Sequence, residues 1–185
     1  MFHLAKEKMH IVWSDTETNG LYPKTNKLIQ VACLITDMDL NILDDEGYAA
    51  EVYYSAAEVE ELKSVAVPYV VDMHNNTNLW DKLEHGKPLE TVDAELHAYI
   101  SQFVPKGEGY LGGNSITLDR NFMEVYLPTT FDHLSYRSID VSSIAILAES
   151  WYKGMYFEKE YMHDAMSDIR ESIAQLKWLR AAAWK

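Results

Sequence analysis

Ile11-Val12-Trp13-Ser14-Asp15-Thr16-Glu17 runs a short β-rich stretch straight into two acids one residue apart. Side chains alternate between the faces of a strand, so Asp15 and Glu17 point the same way. Two carboxylates on one face repel, and a cation held between them removes that cost. Standing alone, an Asp-x-Glu pair is also what a solvated strand end looks like, so it needs acids from elsewhere in the chain. Outward from this first strand, Lys27 to Thr36 holds Leu28, Ile29, Val31, Leu34 and Ile35 and reads as a longer one, and Tyr48 to Tyr54 as a third. Thr18-Asn19-Gly20 and Asp44-Asp45-Glu46-Gly47 carry turn chemistry, because Asn, Asp and Gly tolerate left-handed backbone conformations. The expectation is a three-stranded meander.

The second half alternates helix and strand. Leu89, Val92, Leu96, Tyr99, Ile100 and Phe103 recur at helical spacing, and Gly107 and Gly109 precede a short strand signal at Tyr110-Leu111. Leu118, Phe122, Val125 and Tyr126 mark a helix from Leu118 to Leu127, stopped by Pro128. Arg137 to Val141 reads as a strand leading into a helix over Ser143 to Trp151, and Ile169, Ile173, Leu176 and Arg180 draw a mostly apolar stripe on the last helix. No repeat, low-complexity tract or linker divides the chain, so residues 1–185 are expected to form one α/β domain around a mixed sheet.

Asp119 falls at the start of the Leu118 to Leu127 helix, after a Gly112-Gly113-Asn114-Ser115 turn. On its own it reads equally as a first-turn acid favoured by the helix dipole. Asp168 sits one residue before Ile169 on the final helix, and His163 five residues earlier. Within one regular helix those two would be about 140° apart, so His163 is expected in the entering loop, where it can turn back toward the same site or remain a surface residue. Phosphodiester hydrolysis gives a reason to combine these groups. Oxygen ligands suit hard cations such as Mg²⁺ or Mn²⁺, a pair of such cations stabilises both attacking and leaving oxygens, and a histidine titrating near neutrality can take the proton of the attacking water. Spacing alone does not establish this assembly.

Composition narrows the partners. A length of 185 residues, 48% of them hydrophobic, suits one domain with a real core. Sixteen basic against 29 acidic residues give a net charge of −13, which repels long nucleic acid; no groove for an extended polymer is expected, and the same acidity also serves solubility. Apolar runs such as Val31 to Ile35 fall far short of the roughly 18 residues needed to span a bilayer. Charges in Met-Phe-His-Leu-Ala-Lys-Glu-Lys-Met argue against a signal peptide. The single Cys33 suits a reducing cytoplasm.

Three segments together resemble the oligoribonuclease branch of the DEDDh exonucleases, which share a ribonuclease H-like fold. They are Asp15-Thr16-Glu17-Thr18-Asn19-Gly20-Leu21, Gly113-Asn114-Ser115-Ile116-Thr117-Leu118-Asp119-Arg120-Asn121-Phe122, and His163-Asp164-Ala165-Met166-Ser167-Asp168-Ile169-Arg170-Glu171-Ser172. The resemblance implies a mixed five-stranded sheet flanked by helices. It further implies that Asp15, Glu17, Asp119 and Asp168 hold two divalent cations, Mg²⁺ or Mn²⁺, and that His163 is the general base of a 3′-to-5′ exoribonuclease releasing nucleoside 5′-monophosphates. Met73-His74-Asn75-Asn76-Thr77-Asn78-Leu79 and Tyr136-Arg137-Ser138-Ile139-Asp140-Val141-Ser142-Ser143 resemble two further segments of that branch and favour dinucleotides and very short RNA. By the same resemblance Leu21 and His74 pack on the substrate bases, Ser115, Arg137, Ser142 and Ser143 bind a 5′ phosphate, and Tyr136 reaches substrate across a homodimer.

The chain departs from the pattern at several places. Thr117-Leu118 replaces Gly-Gln, Asn19 replaces a common threonine, and Asn78 replaces a glycine before Leu79. Ala145-Ile146 and Glu149-Ser150 stand where Lys-Glu and Arg-Arg are usual, which points to weaker 5′-phosphate capture or a relaxed length preference. A broader exonuclease trimming RNA or DNA 3′ ends is the alternative enzyme reading, and an inactive nucleotide-binding module the non-enzyme one.

Overall fold

The computed structural model describes residues 9–158 and 164–183. Five strands form one sheet: β1 (His10–Thr18), β2 (Leu28–Asp37), β3 (Tyr48–Glu51), β4 (Gly109–Gly113) and β5 (Ser138–Asp140), in the order β3-β2-β1-β4-β5. The first three are the expected antiparallel meander, with Asp15 opposite Ala32 and Glu17 opposite Gln30. β4 pairs parallel to β1 and β5 parallel to β4, so β1 is the central strand where the antiparallel half meets the parallel half. β1 is longer than its apolar residues indicate, and both Asp15 and Glu17 lie within it. The third strand ends at Glu51, earlier than expected, and Val52 continues only as an isolated bridge to Lys87.

Alternation along β1 divides the core. Val12 faces the layer of α4 (Leu89–Ser101) and α5 (Thr117–Tyr126), where Val92, Leu96, Ile100, Phe122 and Met123 are buried. Ile11 and Trp13 face α7 (Val141–Trp151) and α8 (Ala165–Ala183), packing among Val141, Ala145, Ile169 and Ile173. Period-two geometry therefore carries Asp15 and Glu17 onto the α8 side and Thr16 onto the α5 side. Gly112 lets β4 lie close to β1, since a Cβ there would meet Ile11 Cγ2 at 2.5 Å.

Between β3 and α4 the chain builds α1 (Ala56–Val65), α2 (Pro68–Asn76), α3 (Leu79–Lys82) and a 3₁₀ turn at Leu83–His85. α1 starts at a capping box in which Ser55 and Glu58 satisfy each other's backbone N–H groups. Val59 and Leu62 join Ile29, Leu79, Trp80 and Leu83 in a separate small core. α6 (Pro128–His133) follows α5, its first turn held by the buried Asp93 carboxylate, which accepts from Thr129 N–H and Thr130 N–H at 2.9 Å each. Among the described residues no helix is long and apolar enough to cross a membrane.

Candidate active site

Asp15, Glu17 and Asp168 each place a carboxylate oxygen within 4.8 Å of the others. The two strand acids arrive from β1 and the third from the first turn of α8, where Asp164 caps the helix by accepting from Ser167 N–H at 3.1 Å and Ser167 Oγ–H at 2.8 Å. Asp119, in the first turn of α5, is also buried. Its Oδ1 accepts from Thr16 N–H at 2.8 Å and Thr16 Oγ–H at 2.7 Å, so the residue between the two strand acids orients the fourth acid. That role follows from the same alternation that aligned Asp15 with Glu17.

The electrostatics state what the cluster needs. Burial pushes Asp15 well above the usual carboxylate range, and the charges of Asp119, Glu17, Asp168 and Asp164 push it further. Glu17 is raised to about 8, first by burial and then by Asp168, Asp119 and Asp164. Asp119 is raised to about 6 by burial, against the lowering effect of its Thr16 hydrogen bonds. Carboxylates held charged against this repulsion need either protons or a hard cation, and an all-oxygen donor set of this density fits Mg²⁺ or Mn²⁺.

The remaining expected site residues separate into exposed and buried groups. Leu21 is 64% exposed, on a loop secured from beneath: Tyr126 Oη–H donates to Asn26 O at 2.6 Å and Pro23 O at 3.1 Å, and Tyr22 N–H donates to Asn26 Oδ1 at 3.0 Å. Asn19, one of the departures, ties this loop to α1 by accepting from Lys27 N–H at 2.7 Å and donating to Leu62 O at 3.1 Å. His74 requires a correction. Its side chain is 0% exposed, Nε2–H donates to Thr18 O at 3.0 Å, Nδ1 lies 3.8 Å from Glu17 Oε2, and its ring packs edge-on against Trp80. In this arrangement the ring offers no open face to a base, and its contact with the site runs through Glu17.

Ser115, Ser142 and Ser143 converge at the N-terminus of α7. The Asp140 carboxylate caps that helix, accepting from Ser142 N–H at 2.9 Å, Ser143 N–H at 3.4 Å and, across from β4, Ser115 N–H at 3.1 Å. Asp140-Val141-Ser142-Ser143 carries the signal of such a cap, an acid just ahead of the first helical turn. Arg137 turns to Tyr136, donating from Nε to its hydroxyl at 2.9 Å, and both side chains are exposed. His163 lies outside the described residues.

The RNase_T exonuclease family model matches residues 12–176, which take in most of the central strand, every acid of the cluster and most of α8. The chain belongs to this exonuclease family. Within it the exonuclease is oligoribonuclease-like: it is 40% identical to an oligoribonuclease of Rhodococcus jostii over 180 residues, covering 94% of this chain and 87% of that one. An oligoribonuclease of Aliivibrio fischeri is 36% identical over 180 residues, covering 96% and 97%. Among solved structures, exonuclease I from Methylocaldum szegediense superposes with a TM-score of 0.72 over 96% of this chain at 17% identity. That likeness speaks for the fold alone, and the chain spans only 41% of exonuclease I. The fold is the ribonuclease H-like α/β arrangement that the motifs implied, and the clustered carboxylates fit the divalent-metal chemistry of a nuclease.

Proposed function

We propose that this exonuclease removes nucleotides from the 3′ end of dinucleotides and very short RNA, releasing nucleoside 5′-monophosphates. The observation that carries the reading is the meeting of Asp15, Glu17 and Asp168 within 4.8 Å, with Asp119 buried alongside. These four would hold two divalent cations, Mg²⁺ or Mn²⁺. Bound there, the cations supply Lewis-acid polarisation of the scissile phosphate and a lowered pKa for the attacking water. Thr16 holds Asp119 in register for its share of that task. His163, placed by the motif just before α8, would take the proton of the attacking water on a ring nitrogen. Leu21, exposed on its braced loop, would lie against a base without reading its identity. Ser115, Ser142 and Ser143, with Arg137 swung from Tyr136, would receive the 5′ phosphate. A partner copy would bring its own Tyr136 to the same place, making the enzyme a homodimer, and the reducing compartment suggested by Cys33 is the cytoplasm.

One observation favours the broader reading, an exonuclease trimming longer RNA or DNA 3′ ends. The amides at the head of α7 already meet Asp140, and Ala145 supplies no charge there, so few donors are left free for a 5′ phosphate at that helix end. Hydrolysis of a 5′-phosphorylated dinucleotide beside RNA of two to about twenty nucleotides, with Mn²⁺, separates the readings. A rate that falls steeply with length supports the first; equal rates across the series select the second.

A further inference from the structure

The serines at the head of α7 are joined to α8 by an unbroken run of hydrogen bonds through Asn114. Ser142 Oγ meets Asn114 Oδ1 at 3.0 Å, Asn114 Nδ2 meets Ser172 Oγ at 2.7 Å, and Ser172 Oγ meets Asp168 O at 2.8 Å. At the other end Ser142 Oγ accepts from Ser115 N–H at 2.9 Å and lies 3.2 Å from Ser115 Oγ. The last link fixes the direction of every other. A backbone carbonyl only accepts, so the one hydroxyl proton of Ser172 goes to Asp168 O. Asn114 must then donate to Ser172 with its amide nitrogen, which turns its oxygen toward Ser142. Ser142 spends its only proton on that oxygen, and Ser115 Oγ–H must donate to Ser142. All protons point toward α8.

Neither serine hydroxyl therefore has a proton to give a phosphate while the run is intact. A phosphate that takes the Ser142 proton withdraws it from Asn114, and the change is felt at the Ser172 bond to the backbone of Asp168, one turn away on the same helix. Ser115 is held ready for this at φ 53°, a left-handed conformation that a serine adopts at a cost, and its amide is shared between Asp140 and Ser142.

We infer that Asn114 is a positioning residue that couples the 5′-phosphate serines to the helix holding Asp168, so that phosphate binding and cation binding change one another's affinity. The inference rests on the 5′-phosphate pocket proposed above. Coupling between two ligands is reciprocal, which gives a readout that does not need turnover. Mn²⁺ binding is measured by the electron paramagnetic resonance signal of the free ion. The whole protein is titrated with a dinucleotide carrying a non-hydrolysable linkage, in 5′-phosphorylated and 5′-hydroxyl forms.

The expected result is an Mn²⁺ affinity about three- to tenfold different between the 5′-phosphorylated and 5′-hydroxyl forms, the range set by one or two hydrogen bonds. Asn114→Ala and Ser172→Ala bring that ratio to one, and Ser172→Thr, which keeps the hydroxyl, restores it. A role confined to packing would lower thermal stability and leave the ratio untouched, so a ratio that persists in Ser172→Ala overturns the coupling even if Asn114→Ala fails to fold. Equal Mn²⁺ affinity with both dinucleotides in the wild type, where the 5′ phosphate still lowers KM, overturns the coupling alone. A wild type whose KM ignores the 5′ phosphate overturns the pocket and the inference with it.

Discussion

Around Asp15 and Glu17, burial and neighbouring carboxylates raise proton affinity; around Ser115 and Ser142, donors and acceptors are matched so completely that Asp140 alone receives three amides. The first region is costly until something positive arrives, and the second is comfortable until something negative disturbs it. On the proposed reading, cation binding relieves repulsion, whereas a phosphate at the serines would compete with existing bonds.

The largest effect expected from breaking this contrast is at the acids. Loss of an outer-shell partner costs a metal site about 10–100-fold, so Asp168→Ala, removing a ligand, should lower metal-dependent hydrolysis by more than about 100-fold. The metal-free variant should melt no lower than wild type, because a repelling charge has gone; a variant that keeps full activity removes Asp168 from the ligand set. His163→Ala should depress kcat far more than KM, and a pure KM defect would argue against its role as base.

Proton linkage gives the next effect. Glu17 is raised from 4.5 to about 8 and Asp119 from 3.8 to about 6, so the folded state binds protons more tightly than the unfolded chain. Their contribution to stability is complete below about pH 4 and is lost between about pH 4 and 8, Asp119's by about 6 and Glu17's by about 8. Metal-free Tm should accordingly fall across that window, and the rise in Tm produced by Mg²⁺ or Mn²⁺ should grow across it. A cation effect independent of pH would mean the cluster is not the binding site.

Smaller effects test the supports. Thr16→Val leaves the backbone bond to Asp119 and removes the hydroxyl one, and should cost about tenfold in kcat with KM little changed. Tyr126→Phe frees two carbonyls of the Leu21 loop and should lower stability by about 1 kcal/mol while raising KM. Denaturant melts and steady-state kinetics on a dinucleotide read both.

Sequence reached the sheet because its signals are local, and alternation put Asp15 and Glu17 on one face. Asp119 and Asp168 read alone as ordinary helix acids, and only the three-motif resemblance joined them to that pair. Sequence did not reach α1 to α3, since α1 buries only Val59 and Leu62 and that stripe is too short to stand out. Nor did it reach the burial of His74, which depends on Trp80 and on Thr18, 56 residues away in the chain. Thr16 and Asn114 were inside quoted motifs, yet their partners, Asp119 and Ser172, are fixed only once the strands and helices are assembled.

The central strand also sets what the lineage can vary. β1 carries Asp15 and Glu17 on one face and Thr16 on the other, paired with β2 along its length and with β4 from His10 to Trp13. Substitutions along it change one contact at a time, but deleting a single residue between Trp13 and Asp15 would slip the register and turn the acids toward Phe122 and Met123, exchanging ligand face for apolar core. Length in this strand therefore fixes which face the acids occupy, a constraint that no single side chain carries.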